Sequence, residues 1–222
     1  MISRNLSHPS AAAFALLILP TAWLLTASAA ADGRKLAPLF EQQVTRRLNV
    51  PREEQEHYAQ LLASTLGEAG ISQLPPEYVV LVDRSPRVQA AMIFWEAPDG
   101  PFHFIGATPV STGLPGTYEH FETPLGVYDH VTDNPDFRAE GNLNEFGIRG
   151  YGVQGMRIFD FGWVTAPKGW GNRALSQMRL QLHATDPDRL DSRLGTAQSK
   201  GCIRTTGSFN TFLDRYGILD GN

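Results

Sequence analysis

Twenty-one glycines and fifteen prolines punctuate this chain of 222 residues, and they fall mainly after residue 75. Glycine costs conformational entropy inside a regular element and proline removes a backbone donor, so breakers at this density argue against a helical bundle. Between them lie short β-branched and aromatic runs. Tyr78-Val79-Val80-Leu81-Val82-Asp83 reads as a strand, Arg84-Ser85-Pro86-Arg87 as a turn, and Val88 to Trp95 as a second strand. Ala97-Pro98-Asp99-Gly100-Pro101 reads as a hairpin loop and Phe102 to Pro109 as a third strand. Met178 to Leu182 alternates Leu180 and Leu182 with Arg179 and Gln181, the period of a half-buried strand. A meander of this kind predicts a mostly β domain over residues 75–222, an antiparallel sandwich or barrel.

The remaining segments read differently. Leu36, Leu39, Phe40, Val44 and Leu48 make one apolar stripe at helical spacing, and Pro51 followed by Arg52-Glu53-Glu54 suits the start of a further helix. Tyr58, Leu61, Leu62 and Leu66 continue an apolar face that Gly67 and Gly70 end. Residues 32–74 are therefore expected to be a short helical segment packing on the main domain, with a partner-binding arm as the alternative. Phe209, Phe212, Leu213 and Tyr216 share a face and predict a C-terminal helix over Ser208 to Tyr216. Residues 1–31 carry Arg4, the apolar run Ala11 to Thr26 and the small-residue stretch Ala27-Ser28-Ala29-Ala30-Ala31, the pattern of a secretory signal peptide; a retained membrane anchor is the alternative. Cleavage predicts a protein outside the cytoplasm, in the periplasm or cell wall, with no stable membrane span.

Charge limits the partners. The formal net charge is -4 and no basic run occurs, so nucleic acid, which needs a cationic face, is not an expected partner. Hydrophobic residues at 42% and charged residues at 19% describe a chain able to bury a core. A monomer is the expected state.

Two loop regions complete the chain. Val110-Ser111-Thr112-Gly113-Leu114-Pro115-Gly116-Thr117 and Glu122-Thr123-Pro124-Leu125-Gly126 predict a rigid, shaped loop followed by a strand. Residues 131–173 read as a long loop rich in aromatics, among them Phe146, Tyr151, Trp163 and Trp170, either a lid or binding wall or core filler.

Chemistry concentrates in Gln198-Ser199-Lys200-Gly201-Cys202-Ile203-Arg204-Thr205. Cys202 is the only cysteine, so no internal disulfide is possible. Lys200 and Arg204 place two cations near the sulfur, and a nearby cation favours the nucleophilic thiolate. The alternative is a small buried hydrophobe. A base is available upstream at His183, where the strand Met178 to Leu182 runs into Asp186-Pro187-Asp188. The six histidines lack zinc-motif spacing, and a site at His103 and His120 with a carboxylate is the one metal arrangement left open. No Gly-x-Ser-x-Gly occurs, which disfavours a serine nucleophile.

Fifteen residues separate His183 from Ser199, and Ser-Lys-Gly-Cys-Ile-Arg follows. This pattern resembles the L,D-transpeptidase (YkuD) family of bacterial cell-wall enzymes. Leu194-Gly195 and the stretch Val110-Ser111-Thr112-Gly113 with Pro115-Gly116-Thr117 carry the likeness further, from about Tyr78 to about Phe212. Two departures stand out: Lys200 occupies the place of the family's second histidine, and Tyr118 to Phe121 replaces a shorter turn. The resemblance implies a YkuD-type sandwich or barrel-like catalytic domain with Cys202 as nucleophile and His183 as base, either accepting the thiol proton or resting with it as an ion pair. Ser199 would orient His183, and the backbone of Gly201 and Cys202 would hold the oxyanion. Arg204, Lys200, Ser111, Thr112 and Gly113 would face the substrate, with a structural ion pair as the alternative for Arg204. The implied substrate is a peptidoglycan stem tetrapeptide cut before D-alanine. The acceptor would be an amine, or water in a carboxypeptidase on the same scaffold; a non-catalytic wall-binding module is the third possibility. No cofactor is implied.

Overall fold

A computed structural model of the chain describes residues 32–71, 74–97, 100, 102–130 and 137–220. The expected signal segment, residues 1–31, lies outside them. Among the described residues no helix is long and apolar enough to cross a membrane.

Among the described residues six strands form two three-stranded sheets. The first contains β1 (Tyr78–Asp83), β2 (Ala90–Glu96) and β3 (Phe102–Pro109), all antiparallel in sequence order. The second contains β4 (Phe159–Pro167), β5 (Leu175–Ala184) and β6 (Ile203–Thr205); β4 pairs antiparallel with β5, and β6 pairs parallel with it. The chain leaving β3 ties the sheets together, because Ser111 bridges Arg204 and Gly113 bridges Ser199. β1 and β4 remain at the two ends of this array, so the expected barrel does not close. With strand at 28% and helix at 22%, the fold is mixed α and β with strand in modest excess.

Helices fill what the sheets leave open. α1 (Leu36–Gln43) and α3 (Gly207–Arg215) meet in the main core. There Phe40, Phe209 and Phe212 pack edge to face beside Ala91, Ile93, Phe159, Leu182 and Ile203. Gly106 of β3 is required at this contact, since a Cβ there would stand 2.2 Å from the Phe40 ring. α2 (Arg52–Glu68) covers the opposite face of the first sheet, setting Tyr58, Leu62 and Leu66 against Ala90, Met92 and Phe94. Pro51 caps α2 and Glu53 and Glu54 occupy its first turn, where the helix dipole favours acids. α3 begins with the Thr206 hydroxyl accepting from the Phe209 N–H.

Three local expectations need correction. The first helix stops at Gln43, and Val44 is extended (φ -93°, ψ 117°), so the stripe to Leu48 is not one helix. Residues 122–130 form no strand; Phe121 makes a single bridge to Lys168 instead. The supposed loop 131–173 contains β4, whose signal is broken by a bulge between Asp160 and Trp163 with Gly162 at φ +78°.

A cysteine turn braced from beneath

The register of the second sheet sorts its side chains. Leu182 pairs with Ile203 and both enter the main core, whereas His183 pairs with Arg204 on the other face. Gln181 pairs with Asp160 and Trp163 pairs with Arg179, so these share the face of His183. Cys202 precedes β6 by one residue. From strand spacing and rise, its α-carbon lies about 8 Å diagonally from that of His183. One face of β5 thus gathers the thiol, the imidazole, Arg204 and an acid.

His183 is 4% exposed. Its Nδ1 lies 2.8 Å from the Ala184 carbonyl, which fixes the proton on Nδ1 and leaves Nε2 as the acceptor. The Tyr151 ring packs edge-on against it at 4.6 Å between centroids, and the Tyr151 hydroxyl reaches Gln181 Oε1 at 3.3 Å. Burial pushes the imidazole down to about 4, against the Ala184 carbonyl and with help from Arg204. It is therefore neutral at pH 7.

Cys202 is half-buried, and its sulfur lies 3.6 Å from the Arg179 carbonyl. No hydrogen bond joins it to His183 among the described residues. Burial pushes the thiol up, while the Gln181 N–H and Arg204 pull it down. Desolvation outweighs the cation, which favours a neutral thiol beside a neutral imidazole over the ion pair, the other of the two expected resting states. Lys200 contributes nothing to this balance. Its ammonium points to Glu119 at 3.4 Å on open surface.

The turn that carries the thiol is held from within. Ser199 donates to the Cys202 carbonyl at 2.5 Å and accepts from the Gly201 N–H at 3.0 Å. Ser199 therefore shapes this turn and does not orient His183, and the Gly201 N–H is engaged by that hydroxyl. Gly201 has φ +128°, and a Cβ on it would meet Met178 at 2.8 Å. Both conformation and space demand glycine.

Residues 111–113, expected at the substrate, lie beneath the turn. Ser111 and Thr112 are each 2% exposed. Ser111 exchanges backbone hydrogen bonds of 2.9 Å with Arg204, and the Thr112 carbonyl accepts from Gln198 and Ser199. Gln89 in turn holds Thr112, through its N–H and its hydroxyl. A Cβ on Gly113 would lie 2.0 Å from the Phe121 carbonyl oxygen. These residues are a brace, not a contact surface. Arg204 donates to the Gln198 carbonyl at 3.4 Å, beside the thiol.

Several residues of the candidate site carried no signal of their own in the sequence. Thr123 joins the brace to the turn, accepting from the Gly113 N–H at 2.8 Å and donating to the Gly201 carbonyl at 2.7 Å. Asp160 accepts from Arg179 at 2.6 Å and from Gln181 at 2.9 Å. Asp186 is fully buried, which pushes its carboxyl up, but three backbone N–H groups, from Arg149, Asp188 and Arg189, together with the Arg149 charge outweigh this, hold it below the ordinary range and fix the loop after His183. The alternation of Arg179 and Gln181 hinted at a polar face. Nothing indicated that Tyr151, 51 residues before the cysteine, would rest on His183.

His120, weighed above as a metal ligand, lies beside the cysteine turn. Its ring meets the Ser199 backbone, and its buried Nδ1 has no hydrogen-bond partner among the described residues. His103 sits on β3 opposite Trp95. No group of three His, Cys, Asp or Glu side chains placed to hold a metal occurs among the described residues.

No protein-family model matches the chain, and no curated protein matches it either.

Proposed function

We propose that this protein is a cysteine acyltransferase of the L,D-transpeptidase kind, acting on peptidoglycan stem peptides. The observation that carries the reading is the one-sided gathering of Cys202, neutral His183 and Arg204 by the β5–β6 pairing. The ordered His–Ser–Lys–Gly–Cys–Ile–Arg pattern supports it, and the finer assignment to a YkuD-type domain rests on the same pattern.

The chemistry follows from a neutral pair. The thiol turns from the Arg179 carbonyl toward His183 Nε2, which takes its proton as sulfur attacks the stem carbonyl. A carbon–sulfur bond forms and the carbonyl π pair moves to oxygen. With the Gly201 N–H held by Ser199, the Cys202 N–H is assigned to the oxyanion. The tetrahedral species collapses, the carbon–nitrogen bond breaks, and the imidazolium gives its proton to the departing D-alanine amine. An acceptor amine then attacks the thioester, His183 removes its proton, and the sulfur leaves to be reprotonated. Arg204 stands close enough to the sulfur to stabilise developing thiolate and to meet a substrate carboxylate. Secretion to the periplasm or cell wall accords with this substrate.

Incubating the protein with tetrapeptide-bearing muropeptides tests the reading. Cross-linked product is expected, with D-alanine released in equal amount. Tripeptide without cross-link would assign a carboxypeptidase, and absence of both turnover and a Cys202 adduct would leave only a wall-binding role.

A further inference from the structure

The face of the second sheet that bears Cys202 continues beyond the site and becomes open. Toward the far end of β4 and β5 the cross-strand pairs on this face are Trp163 with Arg179, Thr165 with Gln177, and Pro167 with Leu175. Trp163 is 69% exposed and Leu175 is 68% exposed. On the reverse face Val164, Ala166, Met178 and Leu180 pack into a core beneath Phe121 and Tyr128, so the alternation is strict. Gln177 donates to Thr165 Oγ1 at 2.7 Å, which leaves its amide oxygen and the threonine hydrogen directed by a fixed pair. The one cation in the row, Arg179, is neutralised by Asp160.

We infer that this strip is a subsite for the glycan strand of the wall polymer, with Trp163 stacking on the apolar face of a sugar ring and the Thr165–Gln177 pair meeting its hydroxyl and N-acetyl groups. Three observations favour a sugar chain over other occupants. The strip is about 14 Å long and two strands wide, which suits a narrow linear polymer. A stable protein interface needs about 800 Å² on each partner, several times what two strands offer. Its chemistry is uncharged and amphipathic, an aromatic plate beside an amide and a hydroxyl, which matches a neutral sugar more closely than an ionic ligand. The strip is also continuous with the candidate site, because Arg179 contributes its side chain to the strip and its carbonyl to the Cys202 sulfur. This inference deepens the proposed function and rests on it for the identity of the polymer.

The test is calorimetric titration of the full chain with a peptide-free, β-linked N-acetylglucosamine oligomer, in parallel with acylation of Cys202 by a carbapenem. Binding of the oligomer is expected, with Trp163→Ala weakening it about tenfold or more and Trp163→Phe restoring most of the loss. Cys202 acylation should be the same in all three proteins. An oligomer that does not bind, or that binds Trp163→Ala as tightly as the parent, overturns the subsite while leaving the acyltransferase reading intact. Trp163-dependent binding in a protein whose Cys202 is never acylated upholds the sugar subsite and removes the acyltransferase.

Discussion

The two sheets have the same number of strands and opposite surroundings. The first is enclosed: α1 covers one face, α2 the other, and β2 between them is the unbroken apolar run Ala90 to Trp95, buried at every position. The second has an apolar core on one face only; its other face is open at Trp163 and Leu175 and closes over buried Gln181 and His183, where Tyr151 packs. Its β5 alternates apolar Met178, Leu180 and Leu182 with polar Arg179, Gln181 and His183. What differs is therefore which face each strand can spare. A strand with apolar core on both sides has no position free for chemistry, whereas a strand with one apolar face delivers every second residue to polar partners without disturbing its core.

The sharpest way to break this contrast is to cut into each sheet. Phe94→Ala removes a fully buried ring from the enclosed sheet and should cost about 3–5 kcal/mol, read from urea unfolding. A loss under 1 kcal/mol would mean that α2 does not seal that face.

Next is a pH effect confined to the second sheet. His183 titrates near its ordinary 6.5 when unfolded and at about 4 when folded, so below 6.5 the unfolded chain binds a proton that the fold refuses. Its contribution is complete above pH 6.5 and is lost as pH falls toward 4, by about 3 kcal/mol in all. In His183→Gln this part of the loss should vanish, measured as the change in urea midpoint between pH 7 and pH 4. An unchanged pH dependence in the variant would place the lost stability on other groups.

Between the sheets lies the brace, and Gly113→Ala tests it. The added Cβ meets backbone at 2.0 Å, which should destabilise by about 1–3 kcal/mol and slow reaction at Cys202, because the displaced strand also carries the Ser199 contacts. A variant as stable and as reactive as the parent would show that the brace yields freely. Smallest is Trp163→Ala on the open face, expected within about 0.5 kcal/mol of the parent in the same unfolding experiment. A larger loss would mean that this face is not free.

How much of this was legible in the sequence depended on range. Local patterns located β1, β3, α3 and the start of α2, since periodicity and breakers are written within a few residues. β4 was hidden because the Asp160–Trp163 bulge and Gly162 interrupt its alternation. In the site, Cys202 and His183 stood out by residue type and spacing. The roles of their neighbours did not, because burial decides them. Ser111 and Thr112 look like exposed loop polar groups until they are found under the turn, and Lys200 looks like the sulfur's counter-charge until it is found paired with Glu119. Desolvation, which sets both the thiol and the imidazole, is a property of the packed molecule and has no local sequence signal.

One measurement bears most directly on the neutral thiol–imidazole pair: the rate at which a stem tetrapeptide or a carbapenem acylates Cys202 between pH 4 and pH 8, followed by mass spectrometry of the intact protein and of the cysteine peptide. Expected are a single adduct on Cys202, an acid limb lying well below the ordinary histidine range, and a rate lower by about 10²–10⁴ in His183→Ala. An adduct that persists in Cys202→Ala, or a His183→Ala variant that acylates as fast as the parent, would contradict it.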